Sequence, residues 1–203
     1  MSTLVCFALK EESSGLRRGH HVLITGIGRA NAEKSLLKFL ANHSPELVLT
    51  CGFAGGLNAD LKLGDVVFEL SASNPQLSTN LLAAGAKPAT FFCADRVATT
   101  VTEKKQLREQ TGADAVEMES ATIHTICAEK KIPCATVRVI SDTANEDLPL
   151  DFNKLAKPDM NLDFGKLFLA ITKSPKKIPA LMELQKKTKF AAQQLASVLE
   201  KII

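Results

Sequence analysis

Three runs of this chain are apolar at nearly every position: TLVCFA (residues 3–8), LVLTC (47–51) and ATVRVI (135–140). A strand with one wet face alternates apolar and polar residues. A run apolar on both faces of its pleat needs cover on both sides of the sheet. Further strand-like runs lie at 21–25, 66–70, 90–93 and 114–116, and segments 30–42, 103–110 and 120–130 between them carry helical spacing. Such alternation predicts an α/β fold of three layers, a central mixed β-sheet flanked by helices. Toward the C-terminus the pattern predicts a helix around 162–171 and a long amphipathic helix from about 179 to 203. No repeat, low-complexity stretch or linker interrupts the chain, so residues 1–203 are expected to form a single domain. That length can bury a proper core.

Composition removes several function classes. The net charge is only +3, and many lysines fall from Lys154 onward on helix-like segments, where a solvated face explains them. With no Trp and no Tyr there is little to stack on bases, so nucleic acid is not an expected partner. The five cysteines sit mostly in apolar runs, without C-x-x-C or a zinc-type spacing to histidine, and read as buried thiols in a reducing compartment. The N-terminus does not resemble a signal peptide, and no apolar stretch is long enough for a bilayer. The expectation is a cytoplasmic protein without membrane, metal or organic cofactor.

Unusual residues gather at the predicted strand ends: Glu11 and Glu12, then Gly26-Ile27-Gly28, then Gly52 to Gly56, and finally Asp142. Ligands of open α/β sheets sit beyond the carboxyl ends of the strands, so this points to one site. CGFAGGL (51–57) reads as a tight turn, or as backbone brought close to a ligand oxygen. In AVEMESATIH (115–124), acids at a helix start suit the dipole. Glu119 is also acceptor-only, able to take hydrogen bonds from two sugar hydroxyls, with Met118 as an apolar surface beneath. Asp142, in SDTANED, is either a cap or an acid at a strand tip. The four histidines suggest no better proton donor, and no Ser-His-Asp set is evident.

GFAGGLNADLKLGDVV, AVEMESA and VRVISDTANED, in this order, resemble the nucleoside phosphorylase and nucleosidase family, most nearly its methylthioadenosine/S-adenosylhomocysteine nucleosidases. The likeness extends over nearly the whole chain, including ALKEE and GIGRANAEKS. It implies N-glycosidic cleavage of a purine nucleoside, with Asp142 protonating the departing base, Glu119 and Met118 holding the ribose, and Glu12 activating water. It further implies substrate contacts from Glu117, Ser141, Gly28, Ala54, Gly55 and Val97, and a homo-oligomer, most simply a two-fold dimer. The chain departs from the pattern in a shorter stretch between Leu70 and Cys93 and in CADRVA, where Arg96 and Val97 stand in a segment that carries a base-stacking aromatic in those enzymes. Gly64 replaces an arginine of hexameric phosphorylases, a role open to Arg29, Arg96 or Arg138. A phosphorylase, or a degraded nucleoside-binding member, are the alternatives.

Overall fold

The structure is a computed structural model that describes residues 2–17, 19–70, 75–155 and 175–203. The first half runs β1 (Thr3–Phe7), a 3-10 turn (Lys10–Ser13), β2 (His21–Ile24), α1 (Arg29–Leu40), β3 (Leu47–Gly56), β4 (Val66–Leu70) and α2 (Pro75–Ala83). Next come β5 (Lys87–Pro88), β6 (Phe91–Cys93), α3 (Val101–Thr111), β7 (Ala115–Glu117) and α4 (Ser120–Glu129). β8 (Cys134–Asp142), α5 (Phe152–Leu155), a second 3-10 turn (Pro175–Lys177) and α6 (Ile178–Leu199) complete the described elements.

One eight-stranded sheet carries the fold, in the order β2-β1-β3-β8-β4-β5, with β7 pairing β3 and β6. β1, β2, β3 and β8 run parallel to their neighbours here, whereas β4 meets β8 and β7 meets β3 antiparallel. The sheet is therefore mixed. Its two faces explain the unbroken apolar runs. Val5 and Phe7 of β1 pack with Leu49, Val137, Leu77, Leu81, Leu195 and Leu199, on the side of α2 and α6. Leu4 and Cys6 point the other way, to Ala32, Leu36, Ile123 and Ile126 of α1 and α4. Burying both faces at roughly 25 cal/mol per Å² of apolar surface is what makes a near-continuous hydrophobic strand worth its composition.

Local signals set the ends of α3. The Thr100 side chain accepts from the Glu103 backbone N–H, Glu103 reaches back in return, and Gly112 closes the helix in the left-handed region at φ 70°.

Several boundaries differ from the sequence reading. α2 was not expected; Leu77 and Leu81, four residues apart, supply its buried stripe over β4 and β5. The glycines of CGFAGGL do not form a tight turn, because β3 continues through them to Gly56. They lack side chains for packing reasons developed below. β8 runs two residues beyond the predicted run and ends on Asp142, which stands at the strand tip. The helix predicted at 162–171 lies outside the described residues.

Candidate active site

Arg138 is the arginine that interrupts the apolar run of β8, and it is 1% exposed. Its Nη2 donates to Glu117 Oε2 at 2.6 Å, Glu119 Oε2 at 3.2 Å and Thr50 Oγ1 at 3.2 Å, while Nη1 donates to the Cys51 carbonyl at 3.1 Å. Among the described buried side-chain nitrogens and oxygens, only its Nε has no hydrogen-bond partner. Glu117 closes the start of α4, accepting from the backbone N–H groups of Glu119 and Ser120 and from the Ser120 hydroxyl. Glu119 receives the Gly28 N–H at 2.9 Å, at the N-terminus of α1. Gly28 can serve there because its φ of 85° suits glycine.

The three buried acids around this guanidinium are not equivalent. Burial opposes the charge on Glu117, but Arg138, the Ser120 hydroxyl and two backbone N–H groups outweigh it and hold the carboxyl below its usual range. Burial raises Glu119, against the pull of Arg138 and with help from Glu117. Glu12, in the 3-10 turn after β1, is only 4% exposed. Burial pushes it up to about 7, with Arg138 and two hydrogen bonds opposing the rise. Those bonds come from the backbone N–H of Phe53 to Oε1 and of Leu9 to Oε2, both at 2.8 Å. Each carboxylate oxygen keeps a free lone pair.

Gly52 shows why β3 carries glycine here. An added Cβ would stand 2.5 Å from Glu12 Oε1 and 2.7 Å from Arg138 Nη1, on a residue whose φ is already +144°. The acid and the guanidinium occupy the space a side chain would take. Three residues on, a Cβ at Gly55 would meet Asp142 Oδ2 at 3.2 Å. Along a strand this separation is about 10 Å, so Glu12 and Asp142 flank opposite ends of one short glycine-bearing segment.

A register shift aims Asp142. Ala54 pairs with Ile140 but Gly55 pairs with Asp142, leaving Ser141 as an extra residue on β8. A bulge of this kind re-aims the side chains at a strand end. The Ser141 hydroxyl then donates to Asp142 Oδ1 at 2.8 Å and approaches the Ala54 carbonyl at 3.4 Å. On the other oxygen, Oδ2, sits the ammonium of Lys104 at 2.6 Å. Lys104 gave no signal in the sequence reading. The one available cue was its spacing three residues from both Val101 and Leu107 on α3, which places it on the inner stripe.

Of the candidates named from the sequence, Glu117, Glu119, Gly28 and Glu12 thus gather around Arg138, and Met118 is buried between two of them. Asp142, Ser141, Ala54 and Gly55 form a second group at the β3–β8 end. Val97 sits apart in the 94–98 segment, where Asn153 of α5 clamps its backbone N–H and carbonyl at 2.9 Å each. Asn153, too, escaped the sequence reading. A cavity of about 380 Å³ opens beside this segment between Phe92, Arg96, Glu103 and Leu107. A second, of about 170 Å³, reaches Asp142 from the side of Pro149 and Leu184. Among the described residues no group of His, Cys, Asp and Glu is arranged to hold a metal ion, and no helix is long and apolar enough to cross a membrane.

A profile of the Phosphorylase superfamily matches residues 15–72 and 78–173. The chain belongs to that superfamily. Among similar proteins, the 5′-methylthioadenosine/S-adenosylhomocysteine nucleosidase of Bacillus cereus (strain B4264) is 27% identical over 181 residues, covering 71% of this chain and 78% of its own. The enzyme of the same name from Glaesserella parasuis serovar 5 is 27% identical over 165 residues, covering 66% and 72%. The fold matches the nucleosidase of Neisseria meningitidis in complex with methylthio-immucillin-A, with TM-score 0.72, 19% identity and coverage of 100% and 98%. It also matches futalosine hydrolase of Helicobacter pylori strain 26695, with TM-score 0.65, 17% identity and coverage of 98% and 97%. The α/β architecture expected from the alternating runs is thus shared with these solved structures.

Proposed function

We propose that this chain, acting as a single domain over residues 1–203, hydrolyses the N-glycosidic bond of a nucleoside, with a purine as the leaving base. Asp142 delivers a proton to the base as the C–N bonding pair departs with it. Glu119 accepts from the ribose hydroxyls over Met118, and Glu12 takes the proton of the attacking water. Glu117, Ser141, Gly28, Ala54 and Gly55 hold these groups in place, and Val97 lines the base side. The observation that carries the reading is Glu12. It is a buried carboxylate with a free lone pair on each oxygen and a titration point of about 7, suited to a base working near neutral pH.

Water is favoured over phosphate because the cations are already committed. Arg138 is engaged by Glu117 and Glu119, Arg29 by Asp95 and Arg96 by Glu103. At Gly64, with φ +85°, a Cβ would stand 2.5 Å from the Phe190 ring, so an arginine there would be strained and would have to displace that ring. Of the alternatives, a nucleoside-binding member without activity has no need of a base poised at Glu12.

The test is a panel of nucleosides, led by 5′-methylthioadenosine and S-adenosylhomocysteine, incubated with and without millimolar phosphate. Free base and free sugar in phosphate-free buffer are expected. A sugar 1-phosphate as the main product would install the phosphorylase instead. Five free cysteines, four of them buried, suit a cytoplasmic enzyme. We assign it a two-fold homodimer, as closed symmetry favours; light scattering at the 21.9 kDa mass of one chain over a wide concentration range would contradict this.

A further inference from the structure

α3 buries one side chain completely, and it is a lysine. Lys104 Nζ lies 2.6 Å from Asp142 Oδ2, 2.7 Å from the Thr143 carbonyl and 2.9 Å from the Glu146 carbonyl. An ammonium has three N–H donors, and all three are engaged. Taking such a charge out of water costs several kcal/mol, which a leucine on the same inner stripe would avoid. Packing therefore does not account for it. Its effect falls on Asp142.

We propose that Lys104 is a positioning residue for Asp142, holding its carboxylate by Oδ2 at the end of β8. The proposal rests on the reading of Asp142 as the acid of an N-glycosidase. In each turnover a proton from solvent binds an Asp142 oxygen. It passes to a ring nitrogen of the base as the C–N bond breaks and its electron pair goes to the base, and it leaves with the released base. Lys104 keeps its three protons throughout.

The other charges near Asp142 do not take over this task. Among the described residues, Glu146 and Asp147 follow it in the chain, and α6 contributes Glu183 and Lys187 to the same cavity. Lys187 is already bound to Glu146 Oε2 at 2.5 Å. β3 brings the glycines Gly55 and Gly56 against Asp142. Lys104 is the cation in direct contact.

The experiment compares kcat/KM for K104Q, K104R and the parent across pH 5 to 8, after thermal melts establish folding. K104Q keeps donors for the Thr143 and Glu146 carbonyls but loses the charge. The ratio of K104Q to parent should climb with pH by about 10-fold or more, the effect expected of removing an opposite charge at this distance. K104R should stay flat against the parent. A K104Q ratio that is below one and independent of pH, or a K104Q chain that does not fold while K104R does, would make the lysine merely structural and overturn the proposal. A parent that releases no base at any pH would sink the nucleosidase reading as well, whereas an active parent with a flat K104Q ratio sinks only this inference.

Discussion

The two ends of the site each bury a cation, and they use it differently. Arg138 serves two acids in direct contact and influences a third, so its charge is shared over Glu117, Glu119 and Glu12. Lys104 serves one acid and two carbonyls, so its charge is concentrated on Asp142. The planar fork of a guanidinium can bridge several carboxylates, whereas an ammonium is a compact point charge. The first arrangement leaves two acids, Glu119 and Glu12, with too little compensation to offset burial, and Glu12, pushed up to about 7, becomes a base near neutrality. The second sets an undivided charge directly against Asp142. A buried cation can therefore create a proton acceptor by being spread thin, or hold an anion by being undivided.

Removing Arg138 should have the largest effect. R138M leaves three buried acids without their cation, and breaking a buried ion pair in this one-sided way costs about 3–5 kcal/mol. The expected result is a chain that melts well below the parent or does not fold, read by circular dichroism. A variant as stable as the parent would show that the acids simply take up protons. At the other end, D142N keeps an acceptor for Lys104 but has no proton to give. It should fold and lose roughly 10²–10⁴-fold in turnover, and activity within a few-fold of the parent would reduce Asp142 to a strand-end cap.

E12Q should separate function from stability. Base release should fall sharply while the protein grows more stable at alkaline pH. The sign follows from the raised titration point, about 7 in the folded chain against an ordinary 4.5. A raised acid contributes stability that is present below about 4.5 and lost as pH rises through about 7. Relative to the parent, E12Q should therefore gain on the order of 3 kcal/mol between acid and alkaline conditions, since each tenfold change in proton affinity is worth about 1.4 kcal/mol. Parallel stability curves for the two chains would show that Glu12 is not held in this way. The smallest effect belongs to T100A, which removes the cap of α3 and should cost about 1 kcal/mol in a denaturant titration. Because α3 carries Lys104 and not Arg138, T100A should disturb the pH profile of kcat/KM more than the binding of ribose.

The acids themselves were legible. Glu12, Glu119 and Asp142 stand at predicted strand ends or a helix start, and the structure places them in the turn after β1, at the start of α4 and at the end of β8. Arg138 was visible as an oddity in ATVRVI, but not its three acidic neighbours, which come from β7, the start of α4 and the turn after β1. The glycines of CGFAGGL suggested a turn or a close approach of backbone to a ligand; β3 runs straight through, which excludes the turn, and Gly52 is small because Glu12 and Arg138 lie against it.

The sequence alone determined the layers, because an apolar run with no polar face can satisfy itself only between two covers. It determined the inventory of acids as well, since carboxylates at strand ends are costly unless something uses them. The tertiary structure decided which acid is paired and which is left wanting. That outcome depends on where a single guanidinium and a single ammonium come to rest in a low-dielectric interior. The guanidinium bridges Glu117 and Glu119 from β7 and the start of α4 and acts on Glu12, 126 positions before it, while Lys104 meets Asp142, 38 positions on, and no local pattern encodes such an arrangement.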